Sequence, residues 1–388
     1  MSAPINHRLI NELKSMKIGC SVSGKIIITV PHLQNQGGVT SYYNAVLPHM
    51  RTESLLPFEI GNTSGKGSFL HPVFDQLRFN RQIRKVRPAL IHVNPSLNLK
   101  SFLRDGLFTW QAKKAGIPVV VFFRGWCKNF EKLTEKRLRF FFKKTFGRAD
   151  AFIVLGSEFN DILRKWGVTA PIYLRTTAVD DNLLRTFSLQ KKITRIRKAE
   201  TIKILFLARL ERAKGVFETV DAVNSLRRRG LRLSLTIAGD GPVRNELENY
   251  CGKLFPPENS IRFLGFVRDA RKAAAFSEHH VYCLPSYSEG LPNSVLEAMA
   301  FAMPIVTCPV GGLADLFEEN KMGFLCRPKS ADDVAGALEK VCTDRQAMIA
   351  MAQFNHHYAK NHFMASQVAQ QLKDIYQKFI LPVAKDVA

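Results

Sequence analysis

The sequence predicts an α/β protein of two doubly wound, Rossmann-like domains. Three observations carry that expectation. Short apolar, β-rich runs alternate with helix-length segments along the whole chain. The alternation restarts after a basic stretch, TFSLQKKITRIRKAE, at residues 186–200. The chain has 388 residues, more than one hydrophobic core ordinarily organises.

In the first half the strands read IIITV (26–30), ALIHVN (89–94), IPVVVFF (117–123) and AFIVLG (151–156). In the second half they read KILFLA (203–208), RLSLTIAG (232–239), IRFLGF (261–266), VYCLPS (281–286), PIVTCP (304–309) and GFLC (323–326). Continuous apolar strands separated by helical segments belong to parallel sheets covered on both faces. Met364, Val368, Leu372, Ile375 and Phe379 recur at helical spacing, so the last 25 residues read as an amphipathic helix. The expected division is a first domain over 1–185, a linker over 186–200, a second domain over 201–362 and a C-terminal helix over 363–388.

Composition narrows the class. A hydrophobic content of 46% and a charged content of 23% are ordinary for a globular chain. No apolar run reaches the roughly 18 residues a membrane-spanning helix needs. The opening MSAPINHRLINELKSMKIG has no compact apolar segment of the kind a secretory signal carries, so a cytoplasmic location is expected. Seven scattered cysteines, with no C-x-x-C and no His-x3-His, read as reduced thiols, and no metal site is expected.

The net charge of +23 is uneven: residues 1–200 hold 33 Lys+Arg against 13 Asp+Glu, and residues 201–388 hold 23 against 20. The first domain therefore calls for an anionic partner. Residues 124–148 hold nine Lys/Arg and two Glu, interleaved with Trp126, Phe130, Leu133, Leu138, Phe140, Phe141, Phe142 and Phe146. Such a segment suits a membrane interface. It equally suits a helix whose phenylalanines enter the core while its cations stay solvated. Charge with interleaved aromatics also fits nucleic-acid binding, although no nucleic-acid module is visible.

Four segments carry chemistry. In PSYSEGLPNSVLEAMAFAMP (285–304) a strand gives way to a Gly/Pro-rich loop and then a helix starting near Asn293 or Ser294. Ligands of open α/β sheets bind in such places, beyond the carboxyl ends of the strands. Glu289 in the loop and Glu297 in the helix can each accept hydrogen bonds from sugar diols. Glu297 alone also has a structural reading, because Ser294-x-x-Glu297 matches a capping box. In FLARLERAKGV (206–216) a strand runs into Arg209, and Lys214 and Gly215 open a helix; two cations at a helix start suit a diphosphate. IAGDGP (237–242) is a strand-to-helix turn common to many such domains. In TVPHLQNQGGVTSYYNAVL (29–47) the pair Gly37–Gly38 lets backbone approach a pyrophosphate. The fuller G-x-G-x-x-G fingerprint of nicotinamide enzymes is absent. GNTSGKGS (61–68) lacks the spacing and the Ser/Thr of a phosphate-binding Walker loop and reads as a flexible loop.

Together these residues resemble the retaining GT-B glycosyltransferases marked by an E-x7-E motif, glycosyltransferase family four with a glycosyl transferases group 1 domain. Here the motif is Glu289-x7-Glu297, in order with Arg209/Lys214, Gly239–Pro242, FLGFV (263–267) and VGGLADL (310–316). The resemblance implies a nucleotide-sugar donor, UDP- or GDP-linked, with no other cofactor and no metal. It implies that Arg209 and Lys214 clamp the diphosphate and Glu297 holds the ribose. Glu289 with the backbone of Gly290 and Leu291 would hold the sugar, Phe266–Val267 the base, and Gly37–Gly38 the diphosphate from the other domain. It implies that the two domains face each other across a cleft, with a C-terminal helix crossing back to the first domain, and it favours a saccharide acceptor that is lipid-linked, met on the inner face of the plasma membrane, in polysaccharide or lipopolysaccharide synthesis. A GT-B sugar-nucleotide epimerase shares the same two-domain plan. The sequence departs from the family at Arg124, in FFRGW, where relatives usually place a histidine near the donor sugar. A guanidinium there suits an anionic donor sugar or an acceptor phosphate, and it also suits a structural role.

Overall fold

The computed structural model describes residues 24–35, 37–50, 54–61, 71–255 and 261–380. The opening segment with Cys20, the loop reading of GNTSGKGS beyond Gly61, and the end of the C-terminal helix expectation lie outside the described residues.

The first half runs β1 (Ile26–Pro31), α1 (Gly38–Val46), β2 (Leu55–Ile60), α2 (His71–Val86), β3 (Leu90–Val93), β4 (Ser96–Leu97) and α3 (Leu99–Lys114). It continues β5 (Val119–Phe122), β6 (Gly125–Trp126), α4 (Lys128–Leu133), α5 (Arg139–Lys144), β7 (Ala151–Val154), α6 (Ser157–Lys165) and β8 (Ile172–Leu174). Six of these strands form a parallel sheet in the order β2-β1-β3-β5-β7-β8, and β4 pairs with β6 beside it. The central strands β1, β3, β5 and β7 are almost wholly buried, as their unbroken apolar runs require. The sequence reading missed β2 and β8. Both lie at sheet edges; β2 carries Pro57, which an edge tolerates because its missing N–H costs no ladder bond there.

The second half runs α7 (Leu189–Lys198), β9 (Ile202–Leu207), α8 (Val216–Arg228), β10 (Leu233–Ala238), α9 (Arg244–Leu254), β11 (Arg262–Gly265) and α10 (Asp269–Glu278). Then come β12 (Val281–Leu284), α11 (Asn293–Ala300), β13 (Ile305–Thr307), α12 (Leu313–Leu316), β14 (Gly323–Leu325), α13 (Ala331–Thr343), α14 (Arg345–His362) and α15 (Ala365–Gln377). Its parallel sheet has the order β11-β10-β9-β12-β13-β14. The two sheets thus share one plan, with a strand-order reversal in the middle of each where a crevice opens.

The stretch expected as a linker contains a helix. Ser188 caps α7, its hydroxyl accepting the Lys191 N–H at 3.3 Å, and Ile193 and Ile196 are buried against the second half. Lys192 is buried too, its Nζ donating to the Phe276 carbonyl at 2.8 Å. The charge count of this stretch hid an apolar face of two isoleucines.

The last described helix returns to the first half. α15 packs against α1, and Val179 and Met364 pair as an isolated bridge. Tyr376 hydroxyl lies 2.6 Å from His92 Nδ1 at the end of β3. The halves also meet at Ser157, whose N–H and hydroxyl both reach the Asp315 carboxylate at 2.5 Å.

Candidate active site

A cleft of about 1600 Å³ lies between the two sheets, lined by the carboxyl ends of strands from both. It gathers Gly37, Gly38, Arg124, Arg209, Lys214, Phe266, Val267, Glu289, Gly290, Leu291 and Glu297, residues separated by up to 260 positions in sequence. Every candidate named from the sequence lines this one space.

The second domain supplies one wall. β12 ends at Leu284, the loop follows, and α11 begins at Asn293. Glu289 Oε1 accepts from Lys214 Nζ at 2.6 Å, so the diphosphate cation and the sugar carboxylate of the sequence reading are direct partners. Gly215, which precedes α8, has φ +73°, and a Cβ there would meet the backbone of Pro285. Glycine at this position lets the cation-bearing turn and the glutamate-bearing loop touch. Gly311 and Gly312 support the loop from beneath: the Gly312 N–H donates to the Gly290 carbonyl at 2.7 Å.

Glu297 is 4% exposed and accepts from Lys272 Nζ of α10 at 2.6 Å. Burial raises its pKa, and Lys272 opposes that shift. The capping-box reading of Ser294 and Glu297 is overturned: α11 starts after Pro292 with no side-chain cap, because the glutamate faces inward to Lys272. Sequence reasoning missed Lys272. A lysine on an amphipathic helix 25 residues upstream carries no local signal of that pairing.

Arg209 is open, with 70% of its side chain exposed and its Nε 3.0 Å from Glu211. Phe266, just past β11, presents a half-exposed ring to the cleft, while Val267 beside it is buried.

The first domain supplies the other wall. Gly37 precedes α1, and the Gly38 carbonyl accepts from Asn293 Nδ2 across the cleft at 3.0 Å. Arg124 follows β5 and is buried. Its guanidinium carbon sits 3.8 Å from the Tyr42 ring centre and 4.4 Å from that of Phe122. Its Nε and Nη1 have no hydrogen-bond partner among the described residues. Stacking fixes the plane but leaves in-plane donors unused, and burial lowers the pKa of the group. A Cβ on Gly290 would lie 3.1 Å from the Arg124 carbonyl oxygen, so the main chain of Arg124 runs beside the glutamate loop.

The aromatic segment 124–148 is mostly packed. Trp126, Phe130, Phe142 and Phe146 are buried around Phe102 and Trp166, and only Leu133 and Phe140 are exposed as large apolar side chains. Of its sequence readings, the structure favours the core one for these four rings.

Comparisons with known proteins bear on the family and the fold. Residues 41–183 match Glycosyltransferase Family 4 and residues 189–362 match Glycosyl transferases group 1. The chain is 29% identical over 175 residues to alpha-D-kanosaminyltransferase of Streptomyces kanamyceticus, an alignment covering 45% of each. It is 24% identical to the putative teichuronic acid biosynthesis glycosyltransferase TuaC of Bacillus subtilis, over 76% of this chain and 72% of that one. Among the relatives it matches, several alignments thus span less than half of the protein matched. Anabaena HepE, solved in complex with UDP-glucose, superposes with a TM-score of 0.71 at 16% identity, over 92% of this chain and all of that one. WaaG, described as a glycosyltransferase involved in lipopolysaccharide biosynthesis, superposes with a TM-score of 0.67 at 15% identity, over 90% of this chain and 99% of that one. With both halves matched in order and both sheets in place, this chain belongs to the GT-B-fold glycosyltransferases that join a Family 4 half to a group 1 half.

Proposed function

We propose that the chain transfers a sugar from a UDP- or GDP-sugar to a saccharide acceptor, with retention of configuration, in the synthesis of a cell-surface polysaccharide or lipopolysaccharide. The observation that carries this reading is the pair of carboxylate–lysine contacts, Lys214–Glu289 and Lys272–Glu297, on one wall of the cleft. A nucleotide sugar has its diols at two places, ribose and hexose, with anionic phosphates between. Two carboxylates with cations beside them match that sequence of groups.

In this reading Glu297 accepts from the ribose hydroxyls, and Arg209 and Lys214 neutralise the diphosphate with Gly37–Gly38 facing it. Glu289 and the backbone of Gly290 and Leu291 hold the sugar, and Phe266 and Val267 border the base. The anomeric carbon–oxygen bond to the diphosphate breaks as the acceptor oxygen bonds on the same face. The acceptor proton passes to the departing phosphate oxygen. Charge on the leaving group is stabilised by fixed cations, so no metal is required. Arg124, beside the sugar loop with unused donors, meets an anionic group of the donor sugar or acceptor. The acceptor is lipid-linked, and the basic first domain brings the enzyme to the membrane that holds it.

Glu289→Gln and Glu297→Gln should each lower transfer by at least about a hundredfold while the fold is kept, as removal of a charged group from a preorganised site does. Near-normal turnover in both variants, followed by product analysis with the cognate substrates, would overturn the donor-site assignment. Activity should persist in EDTA; loss that manganese or magnesium restores would overturn the metal-free mechanism.

A further inference from the structure

The large exposed apolar side chains of the first domain lie mainly on two neighbouring helices. Val73, Phe74 and Leu77 on α2, and Leu103, Leu107 and Trp110 on α3, are between 37% and 62% exposed. On α3 they recur at intervals of four and three, and Leu99 extends the same stripe by one turn, so they occupy one face. The inner face of that helix is different, with Phe102, Phe108 and Ala112 buried.

The topology makes these stripes neighbours. β2→β3 and β3→β5 both step rightward in the sheet order, so right-handed crossovers place α2 and α3 on the same side of the sheet. The two helices pack together, joined by Gln76 Nε2 to the Arg104 carbonyl at 2.9 Å. α15 covers the opposite side, through α1. Among the described residues, the outer faces of α2 and α3 therefore form one uncovered surface.

Its charge is of one sign. The acids of α2 and α3 are Asp75 and Asp105, and both are buried. The exposed charged side chains include Arg81, Arg84, Lys85, Lys100 and Lys114. We propose that this α2–α3 face docks the protein on an anionic lipid bilayer, its apolar side chains entering the interface and its cations meeting the head groups. A second copy of the same face would set cation against cation. A bare polyanion would leave the valine and leucines without a partner. A bilayer with an anionic surface satisfies both sets.

The placement also orients the cleft. Crossover helices start at the carboxyl ends of the strands, and Ser96, three residues before α3, lines the cleft. The apolar side chains of α2 occupy its first two turns, and Leu99 opens α3. The insertion surface thus begins at the cleft rim, where an acceptor anchored in the bilayer can reach the site. The proposal rests on the membrane-borne acceptor reading for its purpose, and its geometry is independent of the sugar chemistry.

The test is co-sedimentation of the full chain with vesicles of phosphatidylcholine, alone or mixed with phosphatidylglycerol. Wild type should bind the mixed vesicles more strongly than the neutral ones. Phe74→Ser, Leu77→Ser and Leu107→Ser combined should weaken that binding by at least about tenfold, since three apolar anchors are lost. UDP binding, measured by calorimetry, should be unchanged. The variant with Lys132, Lys136, Arg137, Lys143 and Lys144 neutralised should lose less. Equal binding by the triple variant and wild type overturns the proposal, and loss only in the variant with five cations neutralised moves the contact to 128–148. Wild-type dimers in sedimentation velocity that the triple variant abolishes, without vesicle binding by either, assign the face to a second copy and overturn it too. If the triple variant misfolds, Leu77→Ser alone repeats the test with a smaller expected loss. Vesicle binding without sugar transfer would keep this inference and remove the functional one.

Discussion

At the scale of single residues, Arg124 and Glu297 show how burial separates structural from chemical charge. Glu297 is buried with Lys272 against it, so its charge is compensated whether or not a ligand is present. Arg124 is buried with two donors unused and only ring faces beneath it. A buried cation without an anion is costly, and a ligand that brings one removes the cost. Arg124→His should therefore change preference among donors or acceptors more than it changes stability. Kinetics across a panel of neutral and anionic nucleotide sugars, together with the native acceptor, check this. Unaltered kinetics throughout would reduce the residue to a packing role. The sequence marked the position because a cation stood where a histidine was expected; only the fold revealed that its Nε and Nη1 have no hydrogen-bond partner among the described residues.

At the scale of elements, the loop between β12 and α11 is held by glycines from another part of the chain. Gly311 has φ +56°, and a methyl group there would meet the carbonyl oxygens of Glu289 and Gly290. Gly311→Ala combines a left-handed backbone with a collision against main chain that cannot turn aside. The expected cost is roughly 2 kcal/mol or more in chemical denaturation. Transfer should fall further than stability, because the displaced loop carries Glu289. A variant with normal activity would show that the loop's position does not depend on that glycine. VGGLADL stood in the sequence as a segment in family order. Its role as the underside of the glutamate loop needed the β12–β13 pairing, which sets the two turns side by side. α7 is the reverse case: its cations suggested a linker, and packing of two isoleucines made a helix.

At the scale of the whole molecule, the return of α15 ties that helix to the first sheet through His92. Burial holds that imidazole neutral, its pKa pushed down to about 3. Burial likewise lowers His279 to about 4 and His280 to about 3. Below the ordinary histidine value of 6.5 the unfolded chain gains protons that the folded one refuses, so stability falls with pH. At pH 5 each of the three costs up to about 2 kcal/mol. Glu297 acts in the opposite sense, since its raised pKa favours the protonated folded state as pH drops, but it is one group against four, because burial also lowers the pKa of His356. Urea denaturation at pH 7 and pH 5 should show a clearly lower midpoint in acid. His92→Gln should narrow the difference, and equal midpoints at the two values would contradict this account.

The sequence by itself determined the alternation of strands and helices, the two-sheet plan and the positions of the cleft-lining candidates. Those features are written in local patterns: apolar runs that only buried parallel strands can use, and glycines and charged residues at the turns that follow them. Tertiary structure decided what meets what. It paired Lys214 with Glu289 and Lys272 with Glu297, turned the aromatics of 124–148 inward, and left the apolar stripes of α2 and α3 uncovered. None of this is local, because a side chain's partner and its burial depend on which distant element the sheet order sets beside it.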